Sequence, residues 1–432
     1  MVARTQTSTS VSTGMQISIN YMFRIFLFFI LTQAPLYPNQ PDADVYVSKY
    51  IPTGNVSENF KIPHGLERAV DFWIDVYSKY DVDHIIVHDT DYYVIYDVID
   101  VSDVSNVDEF SDEIKNEIIE SRVDVVKNRY RAELKEINDR LNFKQELSGP
   151  INDLYNKFEN ISDNKKFLEA SRPGRMRIQK GQASNFKKGI YYSQLYMGQM
   201  EKIFLDKKLP LELARLPYVE SYFNPVAVSH KNATGMWQFM KGTGTEYMSV
   251  SGTYDERKDP FSSTKAAAEL LNQSYEFLWH NWPLAITAYN HGRFGMKKAS
   301  IVTRSKDLVE IVKKYEGGSF GFASKNFYAE FLAALFIDLN KGRFFEGIEG
   351  VKLFNSGVVE LIKPLKISQI ELLLDVDKNE IRSYNPAISG SAFERDDTIP
   401  RGARIRIPSQ MVKKLLSKTE NIRGITNYVK AI

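Results

Sequence analysis

Between residues 186 and 339, apolar side chains recur at helical spacing again and again. This restricts that part of the chain to a mainly helical fold. The spacing predicts helices over 186–205, 210–220, 233–247, 263–279, 282–289 and 326–339. Pro260-Phe-Ser-Ser263 offers an N-cap to the Ala-rich helix behind it. On either side the pattern changes. Residues 65–80 read as a helix with Leu66, Val70, Phe72, Trp73, Val76 and Tyr77 on one broad face. Residues 84–101 read as a β-hairpin around the turn signal Asp89-Thr-Asp91. Residues 108–142 predict one long helix, with acids in its first turns and basic residues later, as the helix dipole favours. The plain reading is a packed helix with a solvated charged face. Its apolar repeat covers only about three heptads, so a partner-binding coiled coil is the lesser alternative. In 350–410, Val358–Ile362 reads as a strand, 367–381 as one or two short helices and 399–408 as a strand with alternating Ile and Arg.

Composition narrows the function. There is no cysteine, which removes disulfides, thiol catalysis, cysteine metal sites and a lipid-modified N-terminal cysteine. The formal net charge of +2 gives no case for nucleic acid, which calls for a strongly basic face. The run Phe23-Arg-Ile-Phe-Leu-Phe-Phe-Ile-Leu31 is far shorter than the ~20 residues a spanning helix needs. It follows a segment with Arg4 and no acid, and ends in Thr32-Gln-Ala34. That pattern predicts a secretory signal peptide over 1–34, and hence an exported protein of the periplasm or cell envelope, peripheral to a membrane at most. Residues 35–58, rich in Pro, Asp, Asn and Ser, read as a linker.

One glutamate stands out chemically. Glu220 ends an apolar helical stretch (Leu211, Leu213, Leu216, Val219) and meets Ser221 and aromatics. A carboxylic acid at the mouth of an apolar helix is partly desolvated, which disfavours its charged form and lets it act as an acid near neutral pH. Glycoside cleavage needs such an acid. Taken alone, Glu220 reads more readily as a capping or salt-bridged helical glutamate. Its neighbours reverse that reading.

Those neighbours are Glu220-Ser221, Asn224-Pro225, Ala227-x-Ser229, Gly235-Met-Trp-Gln238, Asp255-Glu-Arg-x-Asp-Pro260, Ala266-Ala-Ala268 and Ala288-Tyr-Asn-x-Gly292. In that order and spacing the string resembles the lytic transglycosylases that share the goose-type lysozyme fold, and most of all their membrane-bound type D branch. The likeness covers roughly residues 175–340. It implies a mainly α catalytic domain of lysozyme-like (α+β) fold over 175–345. Before it lies an N-terminal helical extension with a hairpin (35–174), and after it a small α+β module (350–410) that resembles a LysM peptidoglycan-binding module lacking the usual Gly-Asp-Thr opening. The substrate implied is the glycan strand of peptidoglycan. Glu220 would protonate the oxygen between N-acetylmuramic acid and N-acetylglucosamine. It would then take the proton of the muramic C6 hydroxyl as that hydroxyl closes a 1,6-anhydro ring. Ser229, Met236 and Gln238 would line the cleft, with Met236 beneath a sugar. Tyr289 and Asn290 would offer an aromatic platform with an amide beside it, and Tyr328 would hydrogen-bond the glutamate. His291 stands where the family has a small residue, and the Glu-Thr that precedes the family's tyrosine is missing before Tyr328.

Other readings stay beside this one. A hydrolytic goose-type lysozyme on the same fold would need a second carboxylate to activate water. Asp255, Glu256 and Asp259 could supply it, but with Arg257 they read as a structural ion-pair loop. A non-catalytic peptidoglycan-binding protein would not need Glu220 at all. His84, His88, Asp89 and Asp91 could suggest a metal site, but the acids are explained as turn residues and nothing completes a ligand set, so no metal and no cofactor is expected. Lys241-Gly-Thr-Gly-Thr lacks the ending of a phosphate loop.

Overall fold

The structure, a computed structural model, describes residues 57–348, 350, 356–412 and 428–431. The apolar run 23–31 and nearly all of the 35–58 linker lie outside the described residues. No helix among the described residues is long and apolar enough to cross a membrane.

The N-terminal helix Glu67–Ser78 buries a continuous band from Ala69 to Tyr77. It packs along the helix Phe322–Leu339, and its Trp73 indole donates to Asn326 Oδ1 at 2.8 Å. Phe60, just upstream, meets Phe331 edge-on at 5.5 Å. These residues share one hydrophobic core with the helices of 183–345. Strands His84–Asp89 and Ile95–Asp100 pair antiparallel, and Met176–Lys180 joins the outer side of the first. Asp89 fixes the turn between the first two. Its Oδ1 accepts from the amides of Asp91 (2.8 Å) and Tyr92 (2.6 Å) and receives the Arg175 guanidinium at 2.7 Å. The long helix Asp112–Asn142 is capped by the Ser111 hydroxyl and buries only Val123, Leu134 and Ile137. Its charged residues face solvent, as a surface helix requires.

In the central region, Ala183–Asp206, Pro260–Phe277, Trp282–His291 and Phe322–Leu339 form the helices that the spacing predicts, with ends moved by a few residues. Two expectations fail. Residues 210–220 are not one helix: a 3-10 turn, Leu211–Arg215, hands over to the short helix Leu216–Ser221, with Pro217 in its first turn. Of 233–247 only Lys241–Tyr247 is helical. The preceding loop is held open by Gly235 (φ +83) and Gln238 (φ 48), and a Cβ at Gly235 would collide with the Arg257 carbonyl. The sequence reading also misses Arg293–Thr303. Its apolar residues Phe294, Ile301 and Val302 point outward, so its periodicity does not mark the buried face.

The C-terminal segment puts Ser356–Leu361 between Arg404–Pro408 and Val429–Ala431 in a three-stranded sheet, with helices Ile367–Leu374 and Lys378–Tyr384 beside it. Ile405 and Ile407 are buried, and so is the intervening Arg406. Arg406 reaches Asp259 through two bonds of 2.8 and 3.1 Å. Tyr254 is part of this second core, and its hydroxyl accepts from the Arg404 amide at 2.9 Å.

Candidate active site

Glu220 is the penultimate residue of the helix Leu216–Ser221. The helix stops because Tyr222 and Phe223 both turn left-handed (φ 52 and 61), two non-glycine residues in a region that costs energy unless the surroundings fix it. Several contacts do so. Ser221 Oγ donates to the Met236 carbonyl at 2.8 Å. The Phe223 ring meets Tyr218 at 4.5 Å, and Tyr222 donates to Gln182 Oε1 at 3.0 Å. Tyr218 and Tyr222 also lie close over Gly189, where a Cβ would come within 3.2–3.3 Å of them. The glutamate is thus delivered at a rigid, strained corner. Desolvation pushes its carboxyl up to about 8, and the charge of Glu330 adds to the shift. Among the described residues no Lys or Arg contributes to that shift.

Glu330 went unseen in the sequence. It lies on the helix Phe322–Leu339, accepts a hydrogen bond from the Tyr77 hydroxyl at 3.3 Å, and is itself pushed up to about 8 by burial. A signal was there: Glu330 is the one charged residue between Asn326 and Ile337. The argument that singles out Glu220, a carboxylate on an apolar helix, applies to it equally.

The structure treats the other candidate residues differently. Tyr289 lies near Glu220, whose charge raises the phenol further beyond the effect of burial. Its hydroxyl donates to the Trp237 carbonyl at 2.7 Å. Gln238 and Tyr289, with Phe239, Arg293 and Phe294, line a cleft of about 260 Å³. The Gln238 amide nitrogen donates to the Gly235 carbonyl at 2.7 Å, which leaves its oxygen for a ligand. Asn290 is exposed at the end of its helix, and its Oδ1 accepts from Ser324 Oγ at 2.8 Å. Ser229 turns its hydroxyl inward to accept from the amides of Ala233 (3.0 Å) and Lys231 (3.3 Å), shaping its own loop.

Two residues depart from expectation. The Met236 side chain is fully buried in the core, not laid beneath a sugar, because the left-handed Gly235 turns it inward. Tyr328 is 1 % exposed and its hydroxyl has no hydrogen-bond partner, so it does not bond Glu220. The helix directs it into the core, with its ring stacked toward Phe331 at 6.2 Å.

The loop 255–260 is fully engaged. Asp255 pairs with Arg257 at 2.7 Å, Glu256 Oε2 accepts the Ser249 amide at 2.8 Å, and Asp259 caps the helix behind it while holding Arg406. None of these acids is free to activate water. Among the described residues no group of three His, Asp or Glu is placed to hold a metal.

A desolvated carboxylic acid at a helix corner, with Tyr289 of the aromatic-lined cleft near it, is an arrangement that can donate a proton. Residues 206–310 match the family model described as Transglycosylase SLT domain. The chain is similar to membrane-bound lytic murein transglycosylase D of Escherichia coli K12, with 28% identity over 216 residues, 47% of this chain and 44% of the relative. A protein described as a putative tributyltin chloride resistance protein, from Alteromonas sp. strain M-1, is 38% identical over 120 residues, 25% of this chain and 58% of that one. The matches thus span about half the length of these relatives.

Proposed function

We propose that this protein is a peptidoglycan lytic transglycosylase of the cell envelope. It cleaves the β-1,4 bond between N-acetylmuramic acid and N-acetylglucosamine and leaves a 1,6-anhydro ring. The observation that carries this reading is the placement of Glu220 at the left-handed corner that ends its helix, locked by Ser221 on the Met236 carbonyl, where desolvation raises its carboxyl. As acid, Glu220 gives its proton to the glycosidic oxygen as the C1–O bond breaks. As carboxylate, it accepts the C6 hydroxyl proton as that oxygen bonds to C1. No water is consumed, so one group serves both steps. Gln238, Tyr289 and Asn290 contact the sugars, and Ser229 shapes the loop beside them. The relation to lytic murein transglycosylase D supports the substrate class.

The catalytic unit of this reading is 175–345, preceded by the helical extension with its hairpin and followed by a LysM-like module over 350–410. The pairing of Ser356–Leu361 with Arg404–Pro408 around two helices supports that likeness. A hydrolytic muramidase is the second reading, and a second carboxylate with a raised pKa, Glu330, is the observation that favours it.

Digestion of purified sacculi, with the muropeptides weighed by mass spectrometry and Glu220→Gln run in parallel, tests both. Anhydro-muramic products absent from the variant are expected. Products heavier by one water would replace this reading with the hydrolytic one. Binding to sacculi with no cleavage by the wild-type protein would leave only a binding role.

A further inference from the structure

Where the hairpin meets the helical domain, the structure holds a cavity of about 560 Å³, roughly twice the volume of the cleft beside Tyr289. That volume suits a ligand the size of a short peptide. Three elements wall it. The strand Met176–Lys180 supplies Arg177, the helix Leu308–Lys314 supplies Val309 and Lys313, and the helix Phe322–Leu339 supplies Phe322 and Lys325. Gly65 keeps it open, since a Cβ there would stand 3.0 Å from Val309 and 3.7 Å from the Lys313 ammonium.

The charge of this cavity is lopsided. Arg177, Lys313 and Lys325 have no ion-pair partner among the described residues, and Glu310, on the helix of Lys313, is taken by Lys314. Of the two acids in the wall, Asp91 is held by Arg175 at 3.1 Å, which leaves Glu316 against three positive charges. Arg177 is held in place, because its guanidinium lies over the face of Phe322 at 4.5 Å. A planar guanidinium fixed in this way can take a carboxylate through two parallel bonds. Val309 and Phe320 add apolar wall among these charges.

The cavity adjoins the proposed sugar contacts. Asn290 Oδ1 accepts from Ser324 Oγ at 2.8 Å, and Ser324 directly precedes Lys325. The His291 ring, next to Asn290, meets Phe320 edge-on at 4.9 Å. Two contacts thus join the Asn290 end of the helix Trp282–His291 to the elements that wall the cavity.

We propose that this cavity takes the peptide stem of the muramic sugar, so that the enzyme acts on peptide-bearing strands. The inference rests on the reading of Glu220 as the glycan-cleaving acid. The stem hangs from the lactyl group of N-acetylmuramic acid, carries more carboxylates than amines and has small apolar side chains. A wall with cations in excess and apolar residues among them complements it. Arg177 and Lys313 hold the carboxylates, and Val309 and Phe320 take the alanine methyl groups. Arg177, Lys313 and Lys325 all lie outside the matched residues 206–310.

The test compares two substrates of matched strand length: glycan with its stems, and glycan stripped of them by an amidase. Anhydro products are counted by mass spectrometry for the full chain, for Arg177→Ala combined with Lys313→Ala, and for Arg177→Lys. Circular dichroism checks that each protein is folded. Wild type should cut stem-bearing strands with a kcat/KM about tenfold above stripped ones, as one or two charge-assisted hydrogen bonds would give. The alanine pair should lose most of that margin through KM, and Arg177→Lys, which keeps the charge but not the planar fork, should fall between. Equal or faster cutting of stripped strands by wild type would overturn the proposal and leave the reading of Glu220 intact. An alanine pair that slows both substrates alike would overturn it too, because that marks a structural role. If wild type cuts neither strand, the reading of Glu220 falls. Calorimetric titration with free stem peptide then decides the cavity: binding lost in the alanine pair supports it as a peptide site, and no binding removes it.

Discussion

Glu220 binds protons more readily in the folded protein than in the unfolded chain, because its carboxyl is raised from 4.5 to about 8. Between those values the native state holds more protons, so stability declines as pH rises through that window. Glu220→Gln removes the penalty. Its melting temperature should exceed that of wild type by about 2 °C or more at pH 8 and match it at pH 4, measured by calorimetry. The same substitution should cut glycan cleavage by at least about 10³-fold, because it removes the proton donor of the proposed reaction. Gain in stability with loss of activity is the signature of a strained functional residue. Glu220 could be read from the sequence because its neighbours are local in the chain. Glu330 is more than a hundred residues away, and nothing in a linear pattern links it to that stretch.

At the scale of elements, the long helices of the central region follow their apolar spacing, whereas the short helices Leu216–Ser221 and Lys241–Tyr247 depart from it. Lys241–Tyr247 begins eight residues later than the spacing predicts, because the backbone before it doubles back as a narrow turn with reciprocal bonds between Thr234 and Phe239 (3.0 and 3.2 Å). That turn depends on Gly235, whose φ of +83 and contact with the Arg257 carbonyl admit no side chain. Gly235→Ala should destabilise the protein by about 2–4 kcal/mol in urea unfolding. It should also disturb the cleft through Gln238, whose amide bonds the Gly235 carbonyl. Met236 belongs to the same element. In a helix its side chain could have faced the cleft, and the left-handed glycine instead sends it into the core.

For the molecule as a whole, the central core does not stop at the matched family segment. Val70, Trp73 and Tyr77 from the N-terminal helix are buried in it, and the Tyr77 hydroxyl donates to Glu330 at 3.3 Å. A chain that starts at residue 175 should therefore fail to reach a native state, visible as loss of cooperative thermal unfolding. On the other side, the acidic loop before the helix Pro260–Phe277 docks the C-terminal sheet. Asp259 and Arg406 are each 5 % or less exposed at the side chain and bonded to one another, and Tyr254 enters the second core. Arg406→Met leaves Asp259 buried without its cation and should cost about 3–5 kcal/mol, whereas the double change with Asp259→Asn should recover much of that loss.

The sequence by itself determined the helical class of the central region, the strands and short helices of the C-terminal segment, and the choice of Glu220 as the candidate acid. Each is written in spacing or in contiguous neighbours, which local backbone preference and solvent partitioning read directly. Only the tertiary structure decided which residues share the acid's surroundings. The reach of Tyr77 to Glu330, the burial of Met236 and the burial of Tyr328 all depend on how helices far apart in the chain pack. Packing is set by shape and by the removal of charge from water, and neither leaves a mark in a linear string.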